Sequence, residues 1–276
     1  MLCEKFDNPG KVSFTTIPTK SDGGMTEAEA LARFAKQAIE LERLQELLSA
    51  AGTHALLVVL QGRDASGKDG AIKSVAGAMN PGGTRVAAFK VPTPEERAHD
   101  FLWRIHKQTP GKGEVVFFNR SHYEDILVVR VHNLAPKEVW EKRYDDINNF
   151  ENLLTDNNVI VVKFFLHVSK DEQERRLLDR EANSEKSWKL NPSDWTERSF
   201  WDDYSAAYDD VLERCSMQNA PWYVIPGDNK WFRNVAMAEV LIEALKPYKA
   251  EWKASLAKLG AEQKIALEKI RAASTA

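Results

Sequence analysis

The 276-residue chain reads as an α/β protein, an open three-layer α/β/α sandwich around a five-stranded parallel sheet. Three observations predict it. Five short, continuously apolar runs recur along the sequence, as strands covered on both faces require. Charged stretches with helical spacing separate the runs, which suits crossovers between parallel strands. The first run passes directly into the glycine-rich stretch GRDASGKDG, Gly62 to Gly70, and then into a segment of helical composition.

Taken in order, an arm with Pro9, Gly10, Pro18 and SDGG reads as irregular. Met25 to Ala51 then carries Leu31, Phe34, Ala38, Leu41, Leu44 and Leu48 at helical steps, with Thr26 as N-cap and Gly52 as stop. ALLVVLQ (Ala55 to Gln61) is the first strand, and DGAIKSVAGAMN is helical up to Pro81. RVAAFKV (Arg85 to Val91), EVVFFN (Glu114 to Asn119), VIVVKFFLHV (Val159 to Val168) and PWYVIP (Pro221 to Pro226) are the other four. From Phe232 the chain reads as helix nearly to its end, with a loose stripe of Trp252, Leu256 and Leu259 that packs on the domain or on a partner subunit. Without repeats or a low-complexity linker, one domain over 1–276 is the simplest count. It divides into an arm and helix (about 1–52), a lid (about 175–204) and a C-terminal helical segment (about 232–272).

A hydrophobic content of 43% with 29% charged residues is ordinary for a globular protein, and a net charge of -3 gives no general attraction to nucleic acid or anionic membrane. Any anion site is therefore local. Cys3 and Cys215 stand far apart and outside any CxxC spacing, which argues against a disulfide scaffold or zinc site. With no long apolar span and no secretory pattern at the start, a cytoplasmic location is expected.

The glycine loop carries the chemistry. Backbone N–H groups at a helix N-terminus aim at an anion, and a lysine adds a mobile positive charge; Gly62, Gly67, Lys68 and Gly70, with Ala65 and Ser66 between them, fit that scheme. A nucleoside triphosphate loop continues with Ser or Thr, whose hydroxyl ligates magnesium, but here that place is Asp69. Asp69 also suits the positive end of the helix dipole. Asp64 inside the loop is either a metal or acceptor ligand or a cap for the following turn.

The strand ending in FFNRSHYED brings Asn119, Arg120, Glu124 and Asp125 beside the loop if the sheet order is conventional. Such a strand end normally carries a metal-binding acid; here Asn119 stands there, Arg120 can clamp phosphate, and Glu124 or Asp125 assists a metal, orients an acceptor or simply starts a helix. Between Lys170 and Tyr204 lie Arg176 and Arg180, four apart, then Lys186, Lys189 and Arg198 among tryptophans. This is either a lid bringing cations over phosphates or a solvated helix, with Asp171–Arg175 and Glu172–Arg176 as surface pairs.

Together, GRDASGKDG, FKVPTPEE, AHDFLWRIHK, FNRSHYEDILVVRVH, KFFLHVSKDEQERRLLDR, KSWKL, WDDYSAAYDDVL and APWYVIPGDNKWFRN resemble the type-2 polyphosphate kinases over roughly residues 25–245. The resemblance implies a thymidylate-kinase-like P-loop fold with a helical lid, and reversible Mg²⁺-dependent transfer of a terminal phosphoryl group between inorganic polyphosphate and a nucleotide, with Mn²⁺ as a substitute ion. The loop would hold a polyphosphate end. Asp64 would serve metal and acceptor, with Asn119 or Glu124 as further metal ligand; Lys68 would stabilise the phosphoryl group, while Arg120, Arg180, Lys186 and Lys189 hold phosphates. Arg63, Asp64, Lys90, Asn119, Arg120 and Glu124 would meet the nucleotide. Many members carry Asp where this chain has Asn119, and Asn where it has Glu124; the pattern NRSHYED is similar to the subgroup that phosphorylates both AMP and ADP. The resemblance also implies adenine nucleotides, by extension guanine, and a homodimer or homotetramer. In-line transfer needs no phosphoenzyme, which leaves His122 a structural role. The rival readings are an ATP-dependent nucleoside monophosphate kinase on the same fold, a GTPase, which the lack of Asn-Lys-x-Asp weakens, and a nucleic-acid binder, which the lack of a basic stripe weakens.

Overall fold

The computed structural model describes residues 1–274. Its sheet has six strands in the order β1-β6-β5-β2-β4-β3: Glu4–Phe6 (β1), Ala55–Gln61 (β2), Thr84–Ala88 (β3), Val115–Asn119 (β4), Val159–His167 (β5) and Trp222–Pro226 (β6). The five apolar runs form parallel strands, as expected. The sheet is nevertheless mixed, because the arm read as irregular contributes β1, paired antiparallel with β6 from Glu4 opposite Val224 to Phe6 opposite Trp222. Three residues are too few for a period to show, and only the edge of β6 gives them partners.

Alternation along the buried strands builds two cores. Leu57, Val59, Val116, Phe118, Val161 and Phe165 face helices Arg143–Asp156 and Trp201–Arg214, with Phe14 from the arm inserted beside them. Leu56, Val58, Leu60, Phe117, Val162 and Phe164 face helices Glu27–Ala51, Lys68–Ala76 and Lys230–Leu245. Period two on a sheet covered on both sides makes this two-sided division unavoidable. Helix Glu27–Ala51 starts with the Thr26–Glu29 capping box and stops at Gly52, whose φ of 60° is left-handed.

The C-terminal region is two helices, Lys230–Leu245 and Lys249–Ser274, broken by a single turn at Lys246–Tyr248 that contains Pro247. Trp252 packs on its own chain, fully buried, with its indole N–H 3.1 Å from His54 Nδ1. Leu256 is half-buried and Leu259 exposed. No described helix is long and apolar enough to cross a membrane. Position matters most at β2, the central strand between β5 and β4, whose carboxyl end feeds the glycine loop. In such sheets ligands collect at that end.

Candidate active site

The loop between β2 and helix Lys68–Ala76 is held in a conformation only parts of its sequence tolerate easily. Gly67, the residue before the helix, has φ 95°, and even Ala65 is left-handed at φ 58°. At Gly62, φ 152°, an added Cβ would lie 2.9 Å from the Leu166 carbonyl of β5. Close backbone approach therefore dictates glycine here. The opening N–H groups of helix Lys68–Ala76 have no carbonyl one turn earlier in the helix to accept them, and they present the positive dipole end at the loop.

Lys68 is turned into the loop, where its ammonium donates to the carbonyls of Gly62 (2.6 Å) and Arg63 (3.1 Å). Burial pushes its pKa down to about 8, and Arg120 adds to this against the opposing pull of Asp64, Glu124 and Asp69. Ser66 faces inward instead: its side chain is fully buried, and its N–H donates to the Arg63 carbonyl at 3.1 Å.

Beside the loop, the pairing of β2 with β4 brings Asn119 opposite Leu60, so the strand-end residues arrive where the sequence places them. Arg120 takes a left-handed φ of 62° and donates its N–H to the Leu60 carbonyl. Its guanidinium then spans two carboxylates, Asp64 at 2.5 Å and Glu124 at 3.0 Å. Glu124, then Asp64, hold Arg120 above its ordinary pKa despite its burial. Asn119 donates to Asp69 at 2.7 Å, tying the tip of β4 to the start of the loop helix. Asp125, considered with Glu124 as a metal or acceptor group, turns away: it is buried against Arg143 at 3.2 Å, and burial raises its pKa to about 6.

Behind the strand end lies a sealed ionic cluster. Lys163 of β5 donates to Glu151 (2.5 Å), to the Tyr123 hydroxyl (2.9 Å) and to the Cys215 carbonyl (2.8 Å). His122 Nε2 sits 3.2 Å from the same Glu151. Both His122 and Glu151 are fully buried, so His122 has no face toward a phosphate donor.

Asp64, Lys68, Asp69, Lys90, Asn119, Arg120, Arg180 and Lys189 line one cleft of about 510 Å³. Arg180 pairs with Asp194 at 2.7 Å on its far wall. Lys186 points elsewhere, to Asp179 at 2.6 Å, and is not among the lining residues. Arg63 leaves by the other side of the loop, where its guanidinium stacks over Trp201 at 3.8 Å and donates to Ser205 at 2.7 Å. Burial lowers its pKa to about 10.

Sequence reasoning missed several groups. Gln173 donates to the Asp64 carbonyl at 2.9 Å, and Arg233 donates to the Gly67 carbonyl at 3.1 Å. Arg176, read either as a lid cation or as half of a surface pair, does bond Glu172 but is buried, and Arg175 pairs with Glu172 rather than Asp171. The signal for Arg233 was an arginine beside Phe232 at the start of the largely apolar helix Lys230–Leu245.

Residues 24–253 match the model of the family described as Polyphosphate kinase 2 (PPK2). The chain belongs to that family. Among relatives of this polyphosphate kinase 2 chain, the AMP/ADP-polyphosphate phosphotransferase of Meiothermus ruber is 52% identical over 226 residues, 82% of this chain and 84% of the relative. The ADP-polyphosphate phosphotransferase of Rhodopseudomonas palustris is 40% identical over 255 residues, 88% of each chain. A crystal structure of polyphosphate kinase 2 from Arthrobacter aurescens superposes with a TM-score of 0.83 at 41% identity, covering 90% of this chain and 92% of that one. The kinase-like P-loop fold read from the sequence is therefore that of the family.

Proposed function

We propose that the protein transfers the terminal phosphoryl group of inorganic polyphosphate to AMP, giving ADP, and to ADP, giving ATP, reversibly and with Mg²⁺. The observation that carries this reading is the Asp69–Asn119 bond at 2.7 Å. Where a nucleoside triphosphate loop presents a hydroxyl to the metal, this loop presents a carboxylate already engaged by the neighbouring strand. The name of the Meiothermus ruber relative, AMP/ADP-polyphosphate phosphotransferase, supports the same donor and both acceptors.

The donor set suits the ion. Mg²⁺ is held by one or two carboxylates, several waters and substrate phosphates, and Asp64 at the cleft mouth, with Asn119 or Glu124, offers that set. The described residues contain no group of three or more His, Cys, Asp or Glu side chains placed to cage a metal, so the substrate must complete the shell. When bound, Mg²⁺, or Mn²⁺ in its place, would supply neutralisation of phosphate charge.

The loop N–H groups and Lys68 hold the terminal phosphoryl group; Lys68 exchanges its two carbonyl partners for phosphate oxygens. Arg180 and Lys189 hold the chain behind it, and Lys186 joins them if the segment about 175–204 closes as a lid. Arg120 bridges donor and acceptor; Lys90 and Asn119 reach the nucleotide from the cleft, and Arg63 and Glu124 from the pocket on the other side of the Asp64–Arg120 pair. An acceptor phosphate oxygen forms the new P–O bond as the bridging P–O bond of the donor breaks, leaving polyphosphate one unit shorter. Positioning and charge neutralisation suffice, without a phosphoenzyme.

The same reading treats the chain as one catalytic domain in the cytoplasm, supported by two unpaired cysteines. It extends to a homodimer or homotetramer, supported by the exposed Leu259, Ile265 and Leu267 of helix Lys249–Ser274. Adenine nucleotides, and guanine nucleotides by extension, are its acceptors; nucleic acid and membranes are not partners. The test supplies purified protein with Mg²⁺, long-chain polyphosphate and either AMP or ADP. Formation of ADP and ATP respectively is expected, and no product from either acceptor contradicts the reading.

A further inference from the structure

A phosphate loop works only if enough of its peptide units turn their N–H groups inward, and the carbonyls of those units must then go somewhere else; the Ser66 N–H, bonded to the Arg63 carbonyl, is the exception here. Here the carbonyls of three successive residues, Ala65, Ser66 and Gly67, are all bound from behind by guanidinium groups. Arg176 Nη1 donates to Ala65 (3.1 Å) and Ser66 (2.9 Å), and Arg233 Nη1 donates to Gly67 (3.1 Å). The second arm of Arg176 reaches the carbonyls of Gly227 (2.6 Å) and Asp228 (3.2 Å) just past β6, while its Nε is held by Glu172 at 2.7 Å. Arg233 is fixed in turn by Asn234 Oδ1, at 3.1 Å from Nε and 2.8 Å from Nη2.

Both arginines are almost wholly buried, with 6% and 3% of their surfaces exposed. Arg233 has no carboxylate within ion-pair distance among the described residues, and burial, then the charge of Arg176, lowers its pKa to about 10. A buried cation next to another is costly, and a bound polyanion on the far side of the loop relieves that cost. Gly67 records the contact: a Cβ there would lie 2.4 Å from Arg233 Nη1 and 3.5 Å from Arg176 Nη1.

We propose that Arg176 and Arg233 are positioning residues that fix the carbonyls of Ala65, Ser66 and Gly67 outward and so preorganise the loop for the polyphosphate end. The proposal rests on the polyphosphate reading above. A planar fork is what the site requires, since one ammonium cannot reach the Ala65–Ser66 pair and the Gly227–Asp228 pair together.

The test compares Arg176→Lys, Arg233→Lys and Asn234→Ala with the wild type, using tripolyphosphate binding by calorimetry, steady-state kinetics and thermal melts. The lysine variants keep the charge, yet kcat/KM for polyphosphate is expected to fall roughly 10- to 100-fold, while KM for ADP changes less than about threefold. Asn234→Ala, which releases Arg233 without changing any charge, gives a smaller loss of the same kind and decides the matter if the arginine variants fail to fold. Full polyphosphate affinity in the lysine variants, or in Asn234→Ala when they do not fold, overturns the clamp. So does a loss that affects ADP and polyphosphate equally. Failure of the wild type to bind tripolyphosphate instead overturns the functional reading beneath it.

Discussion

Arg120 and Asp64 meet at 2.5 Å across the mouth of the cleft, joining the end of β4 to the phosphate loop. The pair is partly open to solvent, and such pairs contribute only about 0–1 kcal/mol to stability. Its importance is catalytic on this account, because both groups face the phosphates. Asp64→Ala is expected to lower kcat by roughly 10²- to 10³-fold while the melting temperature shifts by only a few degrees. Steady-state rates beside thermal melts check this; a loss below about tenfold removes Asp64 from the machinery.

Glu124 lies on the other arm of Arg120 at 3.0 Å. Its charge disfavours the more anionic of two acceptors, so Glu124→Asn is expected to raise the ratio of ADP to AMP phosphorylation by about tenfold, roughly the effect of 1.4 kcal/mol of repulsion. Separate assays with each acceptor give the ratio. If both rates are unchanged, Glu124 has no part in acceptor choice.

Lys68, with its pKa lowered to about 8, sets a limit in alkali. Only the protonated form attracts phosphate, so kcat/KM for polyphosphate should be level below that pH and fall about tenfold per unit above it. The sign for stability is opposite. The folded pKa lies below the ordinary value of 10.5, so between about 8 and 10.5 the unfolded chain binds more protons, and this group's contribution to stability rises with pH. A pH profile from about 7 to 10 that stays flat contradicts the placement of Lys68, since that range spans its lowered value of about 8.

The Lys163–Glu151 pair is sealed from water. Burial works against the charge of Glu151, but Lys163 and His122 outweigh it and hold its pKa below the usual carboxylate range. Lys163→Met leaves that buried carboxylate with only His122 and Tyr123 as partners and should cost about 3–5 kcal/mol in urea unfolding. Glu151→Gln combined with Lys163→Met should recover part of the loss. A cost under about 1 kcal/mol in the single variant would show that the cluster is not sealed.

Much of this arrangement was legible in the chain. Continuous apolar runs mark a sheet covered on both faces, and the Thr26–Glu29 and Gly52 signals mark the ends of the long first helix. Parallel pairing of the runs then carries Asn119 and Arg120 to the loop. Strand β1 was not legible, because Glu4–Phe6 is too short for alternation and exists through β6. The burial of Arg176 was hidden for a related reason: an arginine four residues after a glutamate fits a solvated pair or an open lid equally well. Only the return of the chain at Gly227 shows that this face of the helix is buried.

The most direct measurement is of the phosphoryl donor. Purified protein receives AMP and Mg²⁺ with either long-chain polyphosphate or ATP as the sole donor, and initial ADP formation is followed. The account predicts rapid ADP formation from polyphosphate and little from ATP, because Asp69 replaces the hydroxyl that a nucleoside triphosphate loop offers its metal. Efficient transfer from ATP with none from polyphosphate would mean that the loop holds a nucleotide tail, and would contradict the account.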